Sequence, residues 1–158
     1  MKTDQSSRTS GLSRFPATAT GLFAVLLLGC ATTGGAQPRS VAVYSFHGTL
    51  RCSTCLLVEQ KAEAAVRNAF AAELVGGSLA WRSVNIRLPE NRHFGTDYQI
   101  ASWGLVLVEY LGQAPRGWKN LALAGELVRA DPDAFRRYVT AEVRAFLDNK
   151  QQATGEIR

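Results

Sequence analysis

Three cysteines, two histidines and one methionine are all the soft and borderline metal ligands in this 158-residue chain. A closed zinc site needs four ligands, and His93 lies far along the chain from His47 and from the Cys52/Cys55 pair, so structural zinc is a poor fit. No apolar run reaches the roughly 20 residues that span a bilayer, which excludes a stable membrane helix. Glycine fingerprints for a flavin or nicotinamide dinucleotide are absent, and so is any internal repeat. Charge of one sign is scarce too. The chain carries a net +5, but residues 1–29 hold three of its 18 basic and one of its 13 acidic residues, leaving about +3 scattered over the rest. No basic run marks a nucleic-acid surface, and no nucleic acid is expected as partner.

The first 30 residues differ from everything after them. Lys2, Arg8 and Arg14 form a basic start, and Ala17 to Gly29 is a mostly apolar stretch of 13 residues ending in Leu27-Leu28-Gly29-Cys30. That is the length of a secretory signal and too short for a span. Leu-Leu-Gly-Cys resembles the bacterial lipobox, and the resemblance implies cleavage before Cys30, lipidation of its sulfur and a chain tethered to the cell envelope, facing the periplasm. Each buried lipid methylene contributes about 0.8 kcal/mol, so several acyl chains hold the protein to the membrane. Ala31 after the lipidated cysteine leans towards the outer membrane by the rule for such proteins. Residues 30–40 are small, polar and Pro/Gly-containing, a flexible tether with a reach of about 17–19 Å.

Beyond the tether, residues 41–150 are enough for one ordinary domain and no second one. With Cys30 assigned to lipid, the other two cysteines stand alone in Cys52-Ser53-Thr54-Cys55, so no pair is left for a separate structural staple. The motif follows the apolar run VAVYSF (41–46) and opens a long helical pattern. A sulfur at a helix N-terminus meets unpaired N–H groups and the positive end of the helix dipole, both of which favour a thiolate. Cys52 is therefore the expected nucleophile, with Arg51 adding positive charge beside it. Cys55, one turn further in, is the expected resolving thiol, able to attack a mixed disulfide formed on Cys52.

Apolar or small residues from Val58 to Leu74 recur at helical spacing, predicting a helix from Cys52 to about Val75 that Gly76-Gly77 ends. Leu79 to Ile86 reads as a strand with Trp81, Val84 and Ile86 in the core, and a short helix is expected over Arg92 to Asp97. Leu105 to Tyr110 is the next strand. Gly112 and Pro115 mark a hairpin turn, and Arg116 to Leu121 an edge strand. Asp131-Pro132 supplies an N-cap and a first-turn proline for a terminal helix burying Phe135, Tyr138, Val139, Val143, Phe146 and Leu147. Residues 151–158 are polar and expected to fray. This order predicts an α/β domain, a central mixed sheet flanked by helices.

The element order with a CxxC opening the first helix resembles the thioredoxin fold over about residues 41–148, and VNIRLPENRHFGTDYQI (84–100) resembles the thioredoxin segment leading into the active-site loop. Two departures stand out. Phe46 occupies the position where thioredoxins carry a buried acid, leaving His47 as the candidate proton acceptor. Ser102-Trp103-Gly104 stands where the family has its cis-proline, so Trp103 is expected to line a substrate surface and Gly104 to leave room above the sulfurs. The Ser-Thr dipeptide matches neither Gly-Pro nor Pro-His, which leaves the potential open between roughly −270 and −120 mV. A narrower resemblance, carried by FHGTLRCSTC (46–55), LPENRHFGTDY (88–98), LVLVEY (105–110) and GWKNL (117–121), is to exported thioredoxin-like proteins described as a nitrophenyl-compound nitroreductase subunit associated with aromatic-arsenical resistance. It implies arsenical or nitroaromatic handling, with any nitroreductase chemistry on a partner protein.

Three functions stay open on the residues. Thiol-disulfide exchange with an envelope redox partner protein, needing no cofactor beyond the dithiol, is the leading one. Copper or trivalent arsenic held by Cys52, Cys55 and His47 is the second, since vicinal thiolates are soft ligands. A structural disulfide in an interaction module is the third.

Overall fold

The computed structural model describes residues 37–148 and 155–156. The expected signal, the expected lipidation site Cys30 and most of the expected tether lie outside these residues.

Strand β1 (Arg39–His47) is buried on both faces from Val41 onward. Its side chains alternate, as a strand requires: Val41 and Val43 enter one core, Ala42, Tyr44 and Phe46 the other. Helix α1 (Ser53–Ala69) then carries the chain across to β2 (Leu79–Asn85), which lies parallel to β1. Strand β3 (Gly104–Leu111) flanks β1 on its other side, antiparallel, and β4 (Ala114–Asn120) pairs antiparallel with β3. The sheet order is β2-β1-β3-β4-β5, where β5 is the pair Gly155–Glu156 against Gly117 and Trp118. Polarity predicts fraying for that last segment, but these two residues extend the sheet edge. Arg39 and Ser40, which read as tether, belong to β1.

The long helix expected from Cys52 to Val75 is two helices. Phe70 leaves helical geometry (φ −134°, ψ 35°), and α2 (Ala71–Val75) starts after it. The Phe70 ring is fully buried, with the Arg144 guanidinium 4.5 Å from its centre, so tertiary burial overrides local helical preference. Pro115 sits inside β4, paired with Tyr110 beside a register shift, and the turn is carried by Gly112 at φ 62°. Helix α3 (His93–Asp97) falls where the short helix is expected.

An unanticipated helix, α4 (Ala124–Ala130), precedes the terminal α5 (Pro132–Leu147). It is short, includes Gly125 and has no side-chain cap, so local sequence carries little signal for it. Asp131 separates the two and caps α5 as expected, its Oδ1 accepting from the N–H groups of Asp133 and Ala134. Cover of the sheet is unequal. Helices α1, α4 and α5 pack one aliphatic core around Val58, Val66, Leu105, Leu107, Phe135 and Val139. The opposite core is aromatic, built from Tyr44, Phe46, Tyr98 and Trp118 with Ile86 and Ile100, and among the described residues α3 and its flanking loops close it. Trp81 and Val84, on the outermost strand, are half-buried.

All four tyrosines lie in or against these cores, and burial is the main reason each phenol ionises above its usual range near 10. The Tyr44 and Tyr110 hydroxyls lie 2.9 Å apart, and burial, aided by Tyr98, pushes Tyr110 up to about 12 against the lowering effect of the hydrogen bond with Tyr44. In the unfolded chain these phenols ionise near 10, before those of the folded one, so stability is full below about pH 10 and falls as pH rises above it. Denaturant midpoints measured from pH 8 to 11.5 should decline from about pH 10, and phenolate absorbance should rise together with unfolding. Normal titration of all four phenols in the folded protein would contradict this packing.

Candidate functional site

Cys52 is the N-cap of α1, in extended geometry (φ −73°, ψ 158°), and its Sγ accepts the Cys55 backbone N–H at 3.0 Å. A sulfur thus fills the place usually taken by a Ser or Asp oxygen. The two cysteines are joined as a disulfide with Cα atoms 5.1 Å apart. Cys52 is exposed and Cys55 half-buried, so the sulfur that an incoming thiol reaches first is that of Cys52.

An open cleft of about 580 Å³ lies beside the disulfide. One wall is the Gly48–Leu50 loop that follows β1, another is Ser102 and Trp103 leading into β3, and Arg87, just beyond β2, completes it. Trp103 is therefore at the dithiol, as its position suggests. Its ring also lies against α4: a Cβ on Gly125 would come within 2.6 Å of the indole Cη2, so glycine at 125 makes room for the ring. Gly104 is not among the cleft-lining residues. It opens β3 opposite Phe46, and a Cβ there would touch Ile100 at 3.6 Å, on the aromatic face.

Arg51 does not serve as a free cation beside Cys52. Its guanidinium pairs with Glu59 at 2.8 Å and reaches His47 Nε2 at 2.6 Å, while Glu59 also accepts from Ser83. This ties the loop to α1 and β2. Arginine can only donate, so His47 Nε2 accepts, and Nδ1–H donates to the Gly48 carbonyl at 2.9 Å. Both ring nitrogens are occupied. His47 is thereby withdrawn from proton transfer at the sulfurs in this arrangement, and from the ligand set with Cys52 and Cys55. Among the described residues no three His, Cys, Asp or Glu side chains cluster to hold a metal ion. His93 is bonded to Asp97 on α3 and does not line the cleft. Phe46, in the place of the family's acid, is buried and stacked on Tyr44 with ring centres 5.1 Å apart.

Sequence reasoning missed two cations. Arg87 is one. Arg129, near the end of α4, is the other: it donates to Ser53 Oγ at 3.0 Å, in the first turn of α1 directly after Cys52. No carboxylate pairs with it among the described residues. Because α4 is not legible in the sequence, neither is this contact.

No family model matches the chain, and no characterised protein is similar to it in sequence. Among solved structures it is similar to the X-ray structure of Fasciola hepatica thioredoxin, with 14% identity and a TM-score of 0.38 over 65% of this chain and 80% of that one. The fold is thioredoxin-like. Its own topology carries that statement: a parallel strand-helix-strand unit, an antiparallel hairpin added beside β1, a terminal helix returning to the α1 face, and a CxxC opening α1.

In the reduced protein, an uncompensated guanidinium at this first turn favours a thiolate on Cys52, whereas the charge of Arg51 is offset by Glu59. Arg129→Ala should therefore slow alkylation of Cys52 by iodoacetamide near pH 6.5 by about two- to fivefold, because less of the sulfur is thiolate. Arg51→Ala should cost about 1 kcal/mol of stability with a smaller effect on that rate. The reverse order of rate effects would return the electrostatic role to Arg51.

Proposed function

We propose that this protein carries out thiol-disulfide exchange with a partner protein through Cys52 and Cys55. The observation that supports it is the exposed Cys52 sulfur, capping α1 at the edge of an open cleft and bonded to a less accessible Cys55. A partner thiolate attacks Cys52 Sγ, forming a mixed disulfide and releasing the Cys55 thiolate. A second partner thiolate attacks its own chain's sulfur in that bond and leaves with the new disulfide, so two electrons pass to the Cys52/Cys55 pair. In reverse, reduced Cys52 attacks a partner disulfide, and Cys55 resolves the intermediate. Nothing in these steps needs a further cofactor.

Cys55→Ala should therefore accumulate a mixed disulfide on Cys52, visible on a non-reducing gel and lost with thiol reductant, while Cys52→Ala traps little. In a glutathione buffer the native pair should titrate as one two-electron couple, about 30 mV per tenfold change in equilibrium constant. Equal trapping by both variants would remove the assigned division between the two sulfurs.

A second reading is capture of trivalent arsenic or another soft ion by the reduced pair, favoured by two sulfurs one helical turn apart beside the Trp103 ring, against which an aromatic substituent can pack. Such a ligand would raise the melting temperature of the reduced protein by mass action and leave the Cys52→Ala variant unchanged. The arsenical and nitroaromatic role implied by the narrower motif resemblance belongs with this reading, nitro-group reduction being the work of a partner.

We also place the domain at the bacterial envelope, facing the periplasm, on a lipidated Cys30. The support is the Leu-Leu-Gly-Cys ending of an apolar segment too short to span. Cys30→Ser should shift the protein from the membrane to the soluble fraction with Cys52 reactivity intact. Unchanged membrane partition would overturn the anchor.

A further inference from the structure

Arg87 is the only charged side chain lining the cleft beside the disulfide among the described residues. Its stem passes over the loop after β1, so that a Cβ on Gly48 would lie 3.8 Å from its Cγ. Its Nη2 donates to the Ala101 carbonyl at 3.4 Å, in the segment that leads to Trp103. The guanidinium thus bridges the two walls of the cleft, held by backbone and facing no carboxylate among the described residues. Leu50, on the same loop, is 94% exposed, an apolar side chain presented to solvent at the dithiol. A cation without a counter-charge and an apolar side chain without cover, both beside an exposed sulfur, are complementary to an anion and an apolar group flanking a cysteine.

We propose that the cleft is a docking site for a polypeptide whose reactive cysteine has an acidic residue and an apolar residue as neighbours, with Arg87 as the residue that selects the acid. This rests on the exchange reaction proposed above. The cleft is open, and covering Leu50 needs a ligand extending past the sulfur, which favours a peptide segment over a small anionic disulfide. Charge complementarity of this kind acts mainly on encounter and on the choice between partners, and salt weakens it.

The test uses the full chain, reduced with dithiothreitol and then freed of it. Its oxidation by two symmetric peptide disulfides is followed by tryptophan fluorescence. The peptides are identical, with leucine near the cysteine, except that glutamate in one is replaced by lysine in the other. Each peptide disulfide is reduced to two thiols as the Cys52/Cys55 bond forms. The glutamate peptide should react about three- to tenfold faster at low salt, and the ratio should shrink towards one at about 0.5 M sodium chloride. Arg87→Ala should abolish the preference, Arg87→Glu reverse it and Arg87→Lys retain it. Because each variant is read as a ratio of two rates on the same sample, a general loss of folded protein does not imitate the result.

A wild-type ratio near one, or a ratio unchanged in Arg87→Ala, overturns the proposal. If glutathione disulfide outpaces the glutamate peptide with the same dependence on residue 87, the occupant is a small anionic disulfide and the peptide assignment fails. Neutral hydroxyethyl disulfide separates the two levels of the argument. Its reduction by the wild type without any peptide preference leaves exchange standing and removes only the Arg87 role; no reaction with any disulfide overturns both.

Discussion

Burial of β1 on both faces is the constraint from which the rest follows. Its residues from Val41 to His47 are shielded by the helical core on one side and the aromatic core on the other, and its neighbours β2 and β3 take up its backbone hydrogen bonds. A strand held in this way delivers the loop after it to a defined point at the sheet edge. Five residues later the chain enters α1 with a cysteine as its cap. The rigidity of the site comes from β1, and its reactivity comes from what the loop and the helix ends bring next to the sulfur.

Those surroundings divide the cations by job. Arg51, the charge nearest to Cys52 in sequence, is engaged by Glu59 and His47, and so acts as a clasp that fixes the loop to α1. Arg129 approaches the first turn of α1 from a helix 76 residues on, and Arg87 bridges the two loops that wall the cleft. Three arginines of the same chemistry therefore stand differently: Glu59 engages Arg51, while Arg87 and Arg129 have no carboxylate partner among the described residues and differ in where the fold puts them. Opposite charge within a few ångströms decides whether a guanidinium is available to a sulfur or a partner.

How much of this is legible in the sequence depends on the range of the interaction involved. The β-branched and aromatic run VAVYSF and the 3.6-residue recurrence through α1 and α5 are local patterns, and with the turn signals between them they predict the strand and helix order of a mixed sheet. Asp131-Pro132 announces α5 for the same reason. The break at Phe70 is hidden because the helical pattern continues through it, and only the buried pocket under Arg144 shows why the backbone turns away. Helix α4 is hidden because seven residues with a glycine among them have no local drive to be helical, and its stability comes from packing against α1 and α5.

The site divides along the same line. By itself the sequence determined that two thiols would stand one turn apart at a strand-to-helix junction and that the first would be the more exposed, because those features are set by covalent spacing and local periodicity; that Phe46 stands in place of a buried acid is legible only through the resemblance to thioredoxins. Tertiary structure alone decided that His47 would be engaged by Arg51, that Gly104 would lie against Ile100, and that Arg87 and Arg129 would stand at the cleft and at the first turn of α1. The Arg87 and Arg129 contacts join residues 14 and 76 positions apart, and those of His47 and Gly104, though only four positions apart, depend on how the loops are laid down by the fold; side-chain electrostatics acts through distance in space, to which distance along the chain is no guide.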